Sequence, residues 1–198
     1  MTEQDFGIKY EPYVETRSGK KVTFLDPKRD DIDITDIAYA LANQCRFNGH
    51  CAPFYSVAEH SVAVSSLLPP ELQLAGLLHD AAEAYLGDIP SPIKQFLGEY
   101  CDIEDKLLAV IMDKYNVTYL EEEANIVKQA DLQQLRTEAH YLIPSGGEDW
   151  TIWTKYPDFT VSGGHRPKCA PPQFAYQAFM LVFNNLTQPK ESPIILAA

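Results

Sequence analysis

A chain of 198 residues with 45% hydrophobic content is long enough to bury a sizeable core, so a single globular domain over residues 1–198 is expected. The formal net charge of −12 argues against a basic groove for DNA or RNA, but a small phosphorylated substrate needs only a few local cations. No stretch approaches the roughly 18 consecutive apolar residues of a membrane span, and the start, Met1 to Gly7, lacks the basic and apolar regions of a secretory signal. A cytoplasmic protein is the expectation.

Tyr13 to Thr16 and Lys21 to Leu25 flank the turn Arg17-Ser18-Gly19-Lys20 and predict a small hairpin. Asp26-Pro27 breaks it, and an acidic stretch leads to a helix starting near Thr35 or Asp36, with Ile37, Ala38, Leu41 and Ala42 at helical spacing. Cys45, His50 and Cys51 lie close together, but structural zinc usually arrives in paired, short-spaced clusters. With Cys101 and Cys169, the two cysteines read as reduced thiols. Ser56-Val57-Ala58-Glu59 is a capping box, which gives Glu59 a structural task, and its helix runs to about Leu68. Pro69-Pro70 ends that helix and begins an almost wholly apolar one, which Gly87 stops.

Asp88 to Lys94 is a Pro-rich turn into a short helix. Tyr100 to Tyr115 is an amphipathic helix, with Ile103, Leu107, Val110 and Ile111 on one side. Glu121 to Leu142 is another, with Val127, Ala130, Leu135 and Leu142 on its inner stripe. The loop from Pro144 to Pro171 is long for a compact domain, as loops with a function or a neighbour to cover are. Pro172 to Leu186 is a last apolar helix before a short apolar tail. These elements make an all-α fold with a small N-terminal hairpin, without internal repeats or a second domain.

The helix after Pro70 carries His79, Asp80 and, one turn later, Glu83 among Leu74, Leu77, Leu78, Ala81, Ala82 and Tyr85. Burying an imidazole and two carboxylates is costly unless they are paired or bound to a cation. His60, in the first turn of the capped helix, offers one further ligand. Asp131 offers another, because it interrupts the apolar stripe between Val127 and Leu135. Each residue alone has a plain structural reading. Together, two imidazoles and two carboxylates suit a divalent transition-metal ion with open positions for water and substrate.

His60, His79-Asp80 and Asp131 match the H…HD…D signature of the HD superfamily of metal-dependent phosphohydrolases, which the chain resembles over roughly residues 36 to 140. Ser56 to Ser61, His79 to Glu83 and Gly87 to Lys94 are similar to the 5′-deoxynucleotidase branch and its phage and bacterial relatives. Cys45 to His50 resembles the segment that carries that branch's phosphate-binding arginine. The chain lacks the histidine-rich stretch of tetrameric-type dNTP triphosphohydrolases and the G-Y-P tripeptide of cyclic-dinucleotide phosphodiesterases. It has Glu83-Ala84 where stringent-response hydrolases carry a Glu-Asp pair.

The resemblance implies an HD-domain helical bundle that hydrolyses the 5′ phosphoester bond at the α-phosphate of a nucleotide, preferring deoxynucleoside 5′-monophosphates. A dNTP (dATP) triphosphohydrolase that releases triphosphate is the alternative, since phage enzymes of that kind share the layout. His60, His79, Asp80 and Asp131 then hold the metal (cobalt, manganese, zinc, nickel or iron), and magnesium can accompany the substrate phosphates. Glu83 has acid–base or water-orienting work. Asp88 assists the leaving oxygen or holds the metal through water, although Gly-Asp is also an ordinary turn pair.

Arg46 is the candidate phosphate clamp, because guanidinium donors match phosphate oxygens in pairs; a solvated helix-end cation is its structural alternative. Lys94 adds charge near the phosphates, and His50 is a positional candidate for substrate contact. The expected partner is a small nucleotide, with no nucleic-acid polymer and no membrane, and a homo-oligomer is expected. The rival of another class is a non-catalytic nucleotide-binding regulator on the same scaffold. The presence of every ligand and of Glu83 weighs against it.

Overall fold

The computed structural model describes residues 12–118 and 120–188; the start of the chain and the predicted apolar tail lie outside them. The hairpin forms as predicted: β1 (Tyr13–Glu15) pairs antiparallel with β2 (Lys21–Thr23), Val14 opposite Val22. Its turn is tied to α1 (Ile34–Asn43), where Asp36 accepts hydrogen bonds from the Ser18 N–H at 3.0 Å and the Ser18 hydroxyl at 2.6 Å. That helix starts slightly earlier than predicted because Asp33 caps it, its carboxylate accepting the Thr35 N–H at 2.9 Å.

α2 (Val57–Leu67) begins where Ser56 predicts, the serine hydroxyl accepting the Glu59 N–H at 3.1 Å. Only this half of the capping box forms. The Glu59 carboxylate instead accepts the N–H groups of Lys168, Cys169 and Ala170 at 2.6, 3.1 and 2.7 Å. Cys169 sits at φ 56, the left-handed region that lets successive N–H groups converge on an anion. Glu59 therefore has a structural task, but it ties α2 to the long loop rather than closing its own helix.

The apolar stretch after Pro70 is not one helix. α3 (Gln73–Leu78) and α4 (Glu83–Leu86) are separated by tighter winding, with the Ala81 N–H on the Leu78 carbonyl at 2.9 Å and the Glu83 N–H on the Asp80 carbonyl at 3.0 Å. One cause is visible in the side chains. His79 Nδ1 donates to the Gly76 carbonyl at 2.8 Å, an acceptor that a regular helix offers to the Asp80 N–H. Pro69-Pro70 delays the start, because the chain first closes a turn from the Leu72 N–H to the Pro69 carbonyl. Gly87, at φ +86, supplies the stop.

α5 (Ser91–Lys94) follows the Pro-rich turn, and α6 (Gly98–Lys114) and α7 (Glu121–Leu142) are the two predicted amphipathic helices. α8 (Pro172–Thr187) closes the bundle. α2 packs against α1, α3, α7 and α8 and so lies at the centre. Ile37, Leu41, Val57, Leu77, Leu78, Leu107, Ile111 and Phe179 are fully buried in the main core. A smaller cluster of Val64, Leu68, Leu72, Ala75, Val127 and Ala130 seats α7 on α2 and α3. Among the described residues, no helix is long and apolar enough to cross a membrane.

Along α7 the inner stripe differs in one place: Leu132 is buried and Leu135 only half-buried. The long loop covers α7 through polar contacts. Gln134 donates to the His165 carbonyl at 2.9 Å and accepts the His165 N–H at 2.8 Å, while the Thr137 hydroxyl donates to the Val161 carbonyl at 2.9 Å. A Cβ at Gly164 would lie 2.4 Å from Thr137 Oγ1, so only glycine allows this approach without a shift.

Candidate metal centre

Both predicted histidine ligands are oriented by the nitrogen that faces away from the site. His60, fully buried on α2, puts Nδ1 2.7 Å from Glu138 Oε1, and His79 puts Nδ1 2.8 Å from the Gly76 carbonyl. A carbonyl can only accept a hydrogen bond, and so can an ionised carboxylate. Each Nδ1 therefore carries a proton, which leaves Nε2 of each ring as the atom that faces the site. Both Nε2 atoms are buried without a hydrogen-bond partner.

They converge. His60 Nε2, His79 Nε2 and a carboxylate oxygen of Asp131 form a group that could hold a metal ion, its ligand atoms within 4.8 Å of one another. Asp131 Oδ1 lies 3.2 Å from His60 Nε2 and 3.9 Å from His79 Nε2, while Asp80 Oδ2 lies 3.6 and 3.1 Å from the same two atoms. Metal–ligand bonds of about 2.1 Å place neighbouring ligand atoms about 3–3.5 Å apart, close to these spacings. The donor set, two nitrogens and two carboxylates, fits a metal ion.

The charges are arranged accordingly. Burial alone would raise Asp80 and Asp131, yet both carboxyls are held below the usual range, Asp80 chiefly by His79 and Asp131 by its contact with His60 and the charge of Lys128. Lys128 Nζ holds Asp131 Oδ2 at 2.6 Å, which leaves Oδ1 for the site. Burial and Arg46 push His60 down, but Glu138 and Asp131 outweigh them and raise it to about 9. Metal binding must displace that proton.

Glu83 lies in the first turn of α4, almost wholly buried, and its Oε2 has no hydrogen-bond partner. Burial first, then the charges of Asp80 and Asp88, push it up to about 10 against the pull of Lys94 and Arg46. Asp88 is also raised, by burial and by Asp80, with Arg46 opposing. Lys94 sits between two carboxylates, 2.8 Å from Glu104 Oε1 and 3.4 Å from Glu83 Oε1. Arg46 is not a solvated helix-end cation: it is 9% exposed, with Nε on Glu138 Oε2 at 3.1 Å and NH1 3.8 Å from Asp80 Oδ2.

Of the residues singled out in the sequence, His60, His79, Asp80, Asp131, Glu83, Asp88, Arg46 and Lys94 thus share one electrostatic neighbourhood. His50 is exposed at the end of the turn Phe47–Gly49. Cys45 and Cys51 are free thiols, their sulfurs 3.7 Å apart. Four supporting residues escaped the sequence reading: Glu138, Lys128, Glu104, and Gln44, whose amide holds the Glu83 carbonyl at 2.8 Å. Glu138 had a usable signal. It follows Asp131 by seven positions, two helical turns along the same face.

No family model matches the chain. The uncharacterized protein YfdR of Escherichia coli (strain K12) is 40% identical over 176 residues, which cover 89% of this chain and 96% of YfdR. The chain belongs to the YfdR family. An uncharacterized protein of Rhodobacter capsulatus is 34% identical over 175 residues, 82% of this chain and 89% of its own. A 5′-deoxynucleotidase of Vibrio parahaemolyticus is a more distant relative, 25% identical over 146 residues, 57% of this chain and 75% of its own.

Proposed function

We propose that the chain is a metal-dependent phosphohydrolase that cleaves the 5′ phosphoester bond at the α-phosphate of nucleotides, preferring deoxynucleoside 5′-monophosphates. The observation that carries the reading is the convergence of two unpartnered buried Nε2 atoms with the carboxylates of Asp131 and Asp80. The distant kinship with a 5′-deoxynucleotidase supports the substrate class. His60, His79, Asp80 and Asp131 hold the metal, which when bound supplies a polarised phosphoryl oxygen and a water of lowered pKa.

The rest is done by the protein. Glu83, on the same turn of chain as Asp80, accepts the proton of the attacking water. Burial and the charges of Asp80 and Asp88 raise it despite Lys94 and Arg46, and a further positive charge beside Asp80 would lower it toward the range of a neutral-pH base. Arg46 presents its terminal nitrogens to the phosphate, and Lys94, steadied by Glu104, adds a second positive charge. Asp88 assists the leaving 5′ oxygen. These local cations let an anionic substrate be accommodated in a protein whose net charge is −12.

The test is turnover by cobalt- or manganese-loaded protein on paired ribo- and deoxyribonucleotides, as mono- and triphosphates, with products resolved by phosphorus NMR. Orthophosphate released from deoxynucleoside monophosphates is the expected result. Intact triphosphate from dATP would move the assignment to a triphosphohydrolase. Release of pyrophosphate, or equal rates on ribo and deoxy forms, would refute the reading. Homo-oligomeric assembly belongs to the same proposal and is checked by light scattering of the purified protein.

A further inference from the structure

Glu138 is neither a metal ligand nor a group facing substrate, yet it is a fully buried charge directly behind both. It lies two turns beyond Asp131 on α7, so one helix face delivers a ligand and, next to it, this carboxylate. Oε1 accepts hydrogen bonds from the Tyr55 hydroxyl at 2.8 Å and His60 Nδ1–H at 2.7 Å, and Oε2 accepts Arg46 Nε–H at 3.1 Å. All three partners donate. Only a carboxylate, accepting at both oxygens, satisfies them together; an amide of the same shape must turn an NH2 group on either His60 and Tyr55 or Arg46. An apolar residue would fill the space at lower cost, so the buried charge is explained by what it holds.

We infer that Glu138 is a positioning residue that couples metal ligation to phosphate binding: through Oε1 it fixes His60 with Nε2 turned to the metal, and through Oε2 it fixes Arg46 with its terminal nitrogens turned toward the Asp80 side. The Arg46 half rests on the proposed phosphohydrolase reading. The His60 half rests on metal binding alone. One carboxylate thereby sets the distance between the ion and the phosphate clamp, and disturbing it weakens both sites at once.

Calorimetric titration of the metal-free protein with cobalt(II), followed by inhibition of the cobalt-loaded protein by inorganic phosphate, tests this on wild type, E138Q and E138D. The E138Q protein should bind cobalt about 10–100-fold more weakly, the range seen when a ligating histidine loses its outer partner. Its inhibition by phosphate should weaken as well, and E138D, too short to reach both partners, should not restore either. A merely structural residue would lower the melting temperature and leave the cobalt affinity of the folded protein unchanged.

Wild-type cobalt affinity in folded E138Q overturns the proposal. Should E138Q fail to fold, NMR of the wild type decides: an exchange-protected proton on His60 Nδ1 supports the role, and an Nδ1 without a proton refutes it. Turnover separates the two claims. A wild type that binds cobalt but hydrolyses no nucleotide refutes the phosphohydrolase reading and leaves the His60 role of Glu138 standing.

Discussion

Replacing Glu83 with Gln should stabilise the metal-free protein while abolishing turnover. Glu83 is pushed from its ordinary 4.5 up to about 10, chiefly by burial, so at pH 7 the native carboxyl keeps a proton that the unfolded chain releases. Between those two values the native state binds more protons than the unfolded state. Stability of the metal-free wild type therefore falls as pH rises through this window, by about 1.4 kcal/mol per pH unit from this group. At pH 7, two and a half units above 4.5, the cost is about 3 kcal/mol, and it holds for any native value well above 7. Gln matches the protonated acid in shape and carries no such cost. For a chain of this size, about 3 kcal/mol corresponds to a rise in melting temperature of about 6–12 °C.

Chemical denaturation of wild type and E83Q, both stripped of metal, at a series of pH values is the assay. The two stabilities should converge near pH 4.5 and separate steadily above it, and saturating metal should shrink the gap by bringing Glu83 into its charged form. A gap that does not change with pH, or an E83Q that is less stable at pH 7, would refute the assignment of Glu83 as a buried, protonated acid. Retained turnover in E83Q would separately refute its role as proton acceptor.

Arg46→Ala should weaken inhibition by a nucleoside 5′-monophosphate analogue far more than by the free nucleoside, and should cost about 3 kcal/mol of stability because Glu138 loses its buried cation. Equal losses for the two inhibitors would make Arg46 structural only. Glu59→Ala should cost about 3 kcal/mol through the three N–H groups of Lys168, Cys169 and Ala170, measured by denaturation, with little change in the kcat of the folded enzyme.

Local chemistry determined much of this protein from sequence alone. The hairpin, the Ser56 cap, the Gly87 stop and the full span of α7 follow from turn residues, capping and apolar periodicity, which act over a few residues and need no partner. That His60, His79 and Asp131 would gather into a group able to hold a metal ion was legible for a related reason: ionisable groups placed in apolar helices are costly wherever those helices pack.

Tertiary structure decided the rest. The stretch from Pro70 to Leu86 reads as one helix by periodicity, but the His79 ring takes the Gly76 carbonyl and the winding tightens between α3 and α4. Glu59 reads as half of a reciprocal cap, but its carboxylate meets three converging N–H groups more than a hundred residues away in sequence. Glu138 reads as one more charge on a charged helix. Only the packing of α7 against α2 shows it closing on His60, Tyr55 and Arg46, since a buried carboxylate is defined by donors from distant segments that no local pattern records.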